Sequence, residues 1–295
     1  MDQRLLIFVT AARRLNFSRA AEELYLSQPA ISQQISSLEH SLGIQLFERQ
    51  AKQVRLTKAG EIVLHHGQDI LLRYSEMERL VHNLLHEAQG PLTIGASYTY
   101  GEYILPHVIA PFLARYPGIT PVIAIDNSRI VEEQVAAGRL DIGIIEGVST
   151  LASIQSEDFA DDLMVIIASP THPLHAQAEI TVDDLSAATW IVRECGSGTR
   201  AMTSTFWTRY GITPQHVMEF SSTQVIKEAV EAGLGLSLLS EWTLRKERKL
   251  GTLALLPIEF GKLTRKFSLV RRKSDFTTKV VDLFVEHLRH HGLPM

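Results

Sequence analysis

The sequence has almost no cysteine: Cys195 is the single one among 295 residues. That excludes an internal disulfide and a cysteine-rich zinc site, and a reduced compartment is the simplest setting. No apolar run is long enough to span a bilayer. The first residues, Met1-Asp2-Gln3-Arg4, lead straight into helix-like sequence without a signal-peptide core or cleavage site. The expectation is a cytoplasmic protein with no membrane partner. His65-His66 and His290-His291 are adjacent pairs, which do not share a helix face, so no metal spacing emerges. No nucleophile stands against a general base in a motif, so catalysis, metal and cofactor are not expected.

A strong positive charge is also missing, since the formal net charge is -4. Its distribution is uneven. Residues 1–60 hold eight cations and five anions, a balance of +3 that leaves -7 for the remainder. A basic first segment on an acidic body is the asymmetry of a DNA-reading head.

What is present is concentrated in Phe17 to Leu38. The pattern predicts two short helices with a tight turn between them. Ser18 is expected to cap the first, whose buried face is Ala20, Ala21 and Leu24. Ser27 is expected to cap the second, with Pro29 in its first turn, where a missing N–H costs nothing. Ile31, Ile35 and Leu38 recur at helical spacing and share an inward face. Gln28, Ser32, Gln33 and Ser36 lie opposite, with side chains that both donate and accept. Such a helix suits a major groove, and it equally suits a solvated helical hairpin. Leu5, Phe8, Val9 and Ala12 supply a third helix for the core. Gly43 ends the second helix of the pair, and Val54-Arg55-Leu56 alternates like a strand, which predicts a short two-stranded wing. Arg49, Lys52 and Arg55 near its tip are placed to meet phosphates, or to serve as surface charges.

Ala20-Ala21, Ser27-Gln28-Pro29-Ala30, Ser32, Leu38-Glu39, Leu42-Gly43, Leu46-Phe47-Glu48-Arg49 and Leu56-Thr57-Lys58-Ala59-Gly60 together resemble the winged helix-turn-helix head of the LysR-type transcriptional regulators. The resemblance implies double-stranded DNA as a partner. It places Ser27, Gln28, Pro29, Ala30, Ser32 and Gln33 along the groove, with Ser18 and Arg19 beside them. Gln33 stands where many relatives carry arginine.

Thr57 to Ala88 reads as one long helix capped by Thr57. Val63, Ile70, Met77 and Leu84 recur every seven residues, with Gly67, Tyr74, Val81 and Ala88 four positions on. This is a heptad seam, expected to splay locally at Gly67 and Tyr74. The same helix of a second copy is the economical partner, and packing on its own body is the alternative. The expected assembly is a homodimer or homotetramer, and RNA polymerase is a further partner that the resemblance admits.

Gln89-Gly90-Pro91 reads as a hinge, after which strands and helices alternate, implying a parallel sheet with helices on both faces. The resemblance implies the two-lobed effector domain of the same family, shaped like a periplasmic solute-binding protein. The expected fold is therefore α+β overall: a winged helix-turn-helix over 1–60, a linker helix and hinge over 61–90, and an α/β effector domain over 91–295. Lobe 1 would hold about 91–164 and 268–295, and lobe 2 about 165–267, with crossings near Val165 and Lys266.

Three turns are expected to line a cleft between the lobes: Ser97-Tyr98-Thr99, Ser197-Gly198-Thr199-Arg200, and the start of the helix at Thr223. Ligands of open α/β folds sit beyond strand ends, where helix starts present free N–H groups. The hydroxyls and Arg200 suit a small anionic effector, although each hydroxyl also suits plain N-capping. Asp141 to Gly147 and Gly196 to Arg200 are similar to LysR regulators linked to sulfur assimilation or carbon fixation, which makes a sulfite-like oxyanion one candidate. Glu146 would face the cleft and set selectivity, or pair with a nearby cation. Cys195 beside this loop reads as inert. The rival reading is a solute-binding protein or enzyme that uses a helical head for assembly.

Overall fold

A computed structural model describes all residues except 1, 51–52, 86–88, 150, 258–260, 275 and 295. The chain divides into two units, Met1–Leu85 and His86–Met295.

The first unit is built on α1 (Gln3–Arg14), α2 (Phe17–Glu23) and α3 (Gln28–Leu42). Ile7, Phe8, Ala20, Ile31, Ile35 and Leu38 meet in its core with Leu46 and Phe47. Asn16, not Ser18, caps α2: its side chain accepts from Arg19 N at 3.0 Å. Its extended backbone, φ -157°, is what a cap position needs, and it puts Ser18 inside the first turn. Ser27 caps α3 through Ala30 N at 3.4 Å, and Gly43 ends it with φ 69°. The chain leaves α2 through Tyr25, whose φ is 53°. Leu26 N donates to Ala21 O at 2.9 Å and Tyr25 N to Glu22 O at 3.3 Å, a C-terminal turn in which glycine is the usual residue.

Strands β1 (Phe47–Gln50) and β2 (Gln53–Leu56) form the antiparallel wing. The buried Glu39 carboxylate of α3 accepts from Leu46 N at 2.7 Å and Phe47 N at 3.3 Å, so the wing is tied directly to α3. Helix α4 (Lys58–Leu85) follows, with Thr57 Oγ1 accepting from Gly60 N at 3.0 Å. A Cβ on Gly67 would lie 3.0 Å from Leu5 and Val9, so its small size lets α1 approach α4. Ala88, at the far end of the expected seam, lies outside the described residues.

In the second unit come β3 (Gly90–Ser97), α5 (Tyr98–Tyr103), α6 (Leu105–Arg115), β4 (Ile119–Asp126), α7 (Ser128–Ala136) and β5 (Ile142–Glu146). Then follow β6 (Ile154–Ala168), α8 (Val182–Ala187), β7 (Thr189–Arg193), α9 (Gly198–Tyr210), β8 (His216–Phe220) and α10 (Thr223–Glu231). Last are β9 (Ser237–Ser240), α11 (Arg245–Leu250), β10 (Ala254–Leu255), β11 (Leu263–Arg272) and α12 (Lys279–His291). Gly90 and Pro91, in the expected hinge, start β3 in register with Ile119 and Thr120 of β4. Helix α5 gives way to α6 at Ile104, because Pro106 fits the first turn of a new helix.

The main sheet runs β10-β6-β11-β5-β3-β4, with β9 also paired to β6. It is mixed, not parallel as the alternation implied. Only β3 pairs in parallel with β4 and β5, while β11 runs antiparallel to β5 and β6. The late return of β11 reverses its direction. Beta7 and β8 pair in parallel apart from it.

Lobe 1 packs α6 and α12 on one face of β3, β5 and β11, around Phe112, Phe267 and Phe284. Helix α7 covers the other face. Lobe 2 gathers around Trp190, Phe206 and Leu238 on one side, and Ile167, Ile226 and Leu244 on the other. Between them β6 and β11 cross side by side, with Arg265 opposite Asp162 and a register shift between Phe267 and Ser268.

Candidate DNA-reading surface and interlobe site

On α3, Ser27, Gln28, Pro29, Gln33 and Ser36 are exposed, with Ala30 and Ser32 half-buried. Gln28 Nε2 donates to Ser32 Oγ at 2.9 Å, one turn on. Ser18 and Arg19 are exposed on α2, and Arg55 is exposed on β2. Arg49 lies in β1 opposite Val54, and Lys52 falls outside the described residues. Ile31 and Ile35 are fully turned inward, so the polar face of α3 is the one left to water.

The exposed apolar side chains of α4 include Ile70 at 55%, Met77 at 49% and Val81 at 55%, with half-buried Tyr74 between them. Their spacing of four, three and four places them on one stripe. Val63, nearer the start, packs on the core of the first unit.

In the second unit the three predicted turns converge on two buried arginines that the sequence reading did not single out. Arg265 comes from β11. Its Nη1 donates to Glu146 Oε2 at 2.6 Å and Thr199 Oγ1 at 2.9 Å. Its Nη2 donates to Thr99 Oγ1 at 3.1 Å, and its Nε to Asp162 Oδ2 at 2.7 Å. Glu146, ending β5, also accepts from Thr99 N at 3.0 Å and Thr199 Oγ1 at 3.2 Å. Asp162 Oδ1 accepts from Ser240 Oγ at 2.5 Å. Groups of both lobes and both crossing strands thus share one centre.

Burial works against the Glu146 charge, but Arg265, Thr99 and Arg193 outweigh it and hold its carboxyl below the usual range. Burial wins at Asp162 and pushes it up despite Arg265 and Ser240. A single guanidinium facing two carboxylates accounts for that split. Burial also opposes the Arg265 charge, and the two carboxylates more than offset it.

Arg193 ends β7, and its side chain is 1% exposed. Its guanidinium lies over the Tyr98 ring at 4.4 Å and donates to Thr223 Oγ1 at 3.1 Å. It also meets Glu194 through Nε at 2.8 Å and Nη2 at 2.9 Å, and Glu194 accepts from Asn127 Nδ2 at 3.2 Å. So Tyr98 and Thr223 face Arg193, while Thr99 and Thr199 face Arg265. Ser197 spends its hydroxyl on capping α9, accepting from Thr199 N at 3.2 Å. Arg200 turns away, to Arg193 O at 3.3 Å and Glu219 at 3.5 Å. Among the described residues the buried Ser97 hydroxyl has no hydrogen-bond partner.

Gly198 sits where a Cβ would come within 2.3 Å of Glu146 O, so glycine alone permits α9 to start against β5. Beside this contact lies a cleft of about 390 Å³ walled by Ser128, Arg129, Glu146, Cys195 and Ser197. Cys195 is exposed. Among the described residues no group of histidine, cysteine, aspartate or glutamate could hold a metal ion.

Two family models match the chain: "Bacterial regulatory helix-turn-helix protein, lysR family" over residues 3–61, and "LysR substrate binding domain" over residues 86–293. Bacillus subtilis HTH-type transcriptional regulator CysL is 34% identical over 282 residues, covering 96% of this chain and 94% of its own. The RuBisCO operon transcriptional regulator of Allochromatium vinosum is 34% identical over 284 residues, with coverage of 96% and 94%. The regulatory domain of Synechocystis PCC6803 CcmR, solved in complex with 2-PG, gives a TM-score of 0.64 at 26% identity over 68% of this chain and 97% of that one. Full-length CbnR, solved with its target DNA, gives 0.74 at 21% identity over 98% and 99%, a likeness of fold.

Proposed function

The chain belongs to the LysR family of transcriptional regulators, and from that premise we propose that it reads duplex DNA in pairs and answers to a small anion held between its lobes. As a member it is a DNA-binding regulator with an effector-binding domain, and not an enzyme. The observation that carries the finer reading is the chemistry of two surfaces. On α3, exposed Gln28 and Gln33 offer amides to base edges, with Ser18, Arg19, Arg49, Lys52 and Arg55 assigned to the backbone phosphates. Between the lobes, Thr99, Thr199 and Arg265 converge as donors suited to an oxyanion. Tyr98 and Thr223 are assigned to the same site through Arg193. Ser97, Ser197, Gly198 and Arg200 line its approach in this reading.

The functional division is proposed at 1–60, 61–90 and 91–295. Self-association runs along Ile70, Tyr74, Met77 and Val81, whose apolar stripe fits the same stripe of a second copy; two dimers complete a tetramer. No helix of the described residues is long and apolar enough to cross a membrane. We place the protein in the cytoplasm, with RNA polymerase as the partner through which it acts.

Footprinting the full chain on its operator tests this reading. A footprint spanning paired half-sites, which weakens steeply with salt and changes length with sulfite or a small carboxylate, is expected. Binding that ignores salt, or a footprint unchanged at saturating anion, counts against it.

A further inference from the structure

The interlobe centre already contains an anion, and it belongs to the chain. We propose that Glu146 is a tethered stand-in for the ligand, a carboxylate that must leave its donors before an effector can take them. This rests on the anion-binding reading above and adds the residue that sets its selectivity.

Four observations carry it. First, the Glu146 carboxylate takes one donor from each lobe and one from a crossing strand: Thr99 N at 3.0 Å, Thr199 Oγ1 at 3.2 Å and Arg265 Nη1 at 2.6 Å. That is the set an oxyanion bridging the lobes would use. Second, Arg265 has another carboxylate beside Glu146. Its Nε already meets Asp162 at 2.7 Å, and Asp162 is held in turn by Ser240 at 2.5 Å. With both carboxylates charged the buried centre carries one negative charge too many, and Glu146 is the one that shares its donors with both lobes. Third, Glu146 ends its strand and is followed by Gly147 at φ 104°, a backbone conformation that lets the strand end turn. Fourth, the cleft of about 390 Å³ opens on Glu146, and among the described residues the buried Ser97 hydroxyl, two residues before Thr99, has no hydrogen-bond partner.

The ligand is thereby limited. It must present at least two oxygens on one centre, as a carboxylate or an inorganic oxyanion does, and it must outcompete a carboxylate already in place. The tether lowers the apparent affinity of every anion by the fraction of time that Glu146 is away. Weak or singly coordinating anions such as chloride are rejected, and stronger oxyanions are admitted.

The test is thermal melting of the full chain with formate, acetate, sulfite or phosphate, at ionic strength matched with chloride. Glu146→Ala is expected to melt below the wild type and to regain several degrees with formate or acetate. Its half-response concentration should fall roughly tenfold or more below that of the wild type. Glu146→Gln keeps the volume and one acceptor oxygen, and carries the test if the alanine variant does not fold. It too should bind the anions more tightly than the wild type. The arms with formate and acetate against those with sulfite and phosphate separate the two sources of the oxyanion. A folded variant with no anion response beyond the wild type overturns the proposal. Rescue of Glu146→Ala with a silent wild type supports the tether and removes the anionic effector. A responsive wild type with no gain in either variant keeps the effector and removes the tether.

Discussion

The outward face of α3 and the centre between the lobes are both polar, yet they are kept in opposite ways. The α3 face holds its amides in water, lightly engaged, as with Gln28 on Ser32 at 2.9 Å. The centre is buried, charged and almost fully bonded, with Arg265 at 5% exposure and Glu146 at 2%. A surface that meets a large external partner can leave its donors solvated, because water satisfies them until the partner arrives. A buried charge has no such option and must carry its counter-charge with it. The first region should therefore be sensitive in binding and indifferent in stability, and the second sensitive in both.

The largest break in that contrast is expected at Arg265. Arg265→Met strips the cation from two buried carboxylates and should cost about 3–5 kcal/mol, read as a lower urea midpoint of the second unit. Replacing Glu146 and Asp162 by apolar residues in the same chain should recover much of that loss, because a dry core needs no ions.

Acid probes the same centre more gently. Glu146 is held below its ordinary value of 4.5, so the unfolded chain binds more protons in that range. Its stabilisation is present above that value and is lost as the pH drops below it. Asp162 is held above 3.8 and has the opposite sign: its charged form is the disfavoured one, and that penalty fades on acidification. Melting of the wild type should fall toward about pH 3.5, and Glu146→Gln should flatten the fall.

On the DNA-reading side, Gln33→Ala should cost about 1–3 kcal/mol of discrimination between operator and unrelated duplex. Competition binding reads it, and the melting temperature should not move. Loss of stability there would break the contrast. Smallest of all is Tyr25, 95% exposed at a left-handed φ. Tyr25→Gly should relieve the backbone and stabilise the first unit by up to about 1 kcal/mol, seen in chemical denaturation.

Legibility follows the range of the interactions. The caps at Ser27 and Thr57, the stop at Gly43 and the inward faces of α2 and α3 are settled within a few residues, and the sequence displays them. The cap of α2 is Asn16, two residues before Ser18, and asparagine is as good a cap as serine. Gly67 kept the heptad rhythm while serving a tertiary contact with Leu5 and Val9. Turns at Thr99, Thr199 and Thr223 stood out locally, but the cations they meet did not. Arg265 lies 119 residues from Glu146, and no local pattern joins them. One signal was available: Leu263, Arg265 and Phe267 alternate on one face of a strand, which puts a charge at a core position. Beta8 escaped because most of its residues are exposed and none of its alternation is apolar-in, polar-out. The early half of β6, Gln155 to Asp162, hid behind its acidic residues.

The side-by-side passage of β6 and β11 between the lobes has a mechanical consequence. Two hydrogen-bonded strands resist being pulled apart or sheared, yet a ribbon of that width twists readily. The lobes are therefore joined by a torsion bar, stiff to stretching and soft to rotation. Any signal that starts at Arg265, on that bar, leaves it as a change of angle.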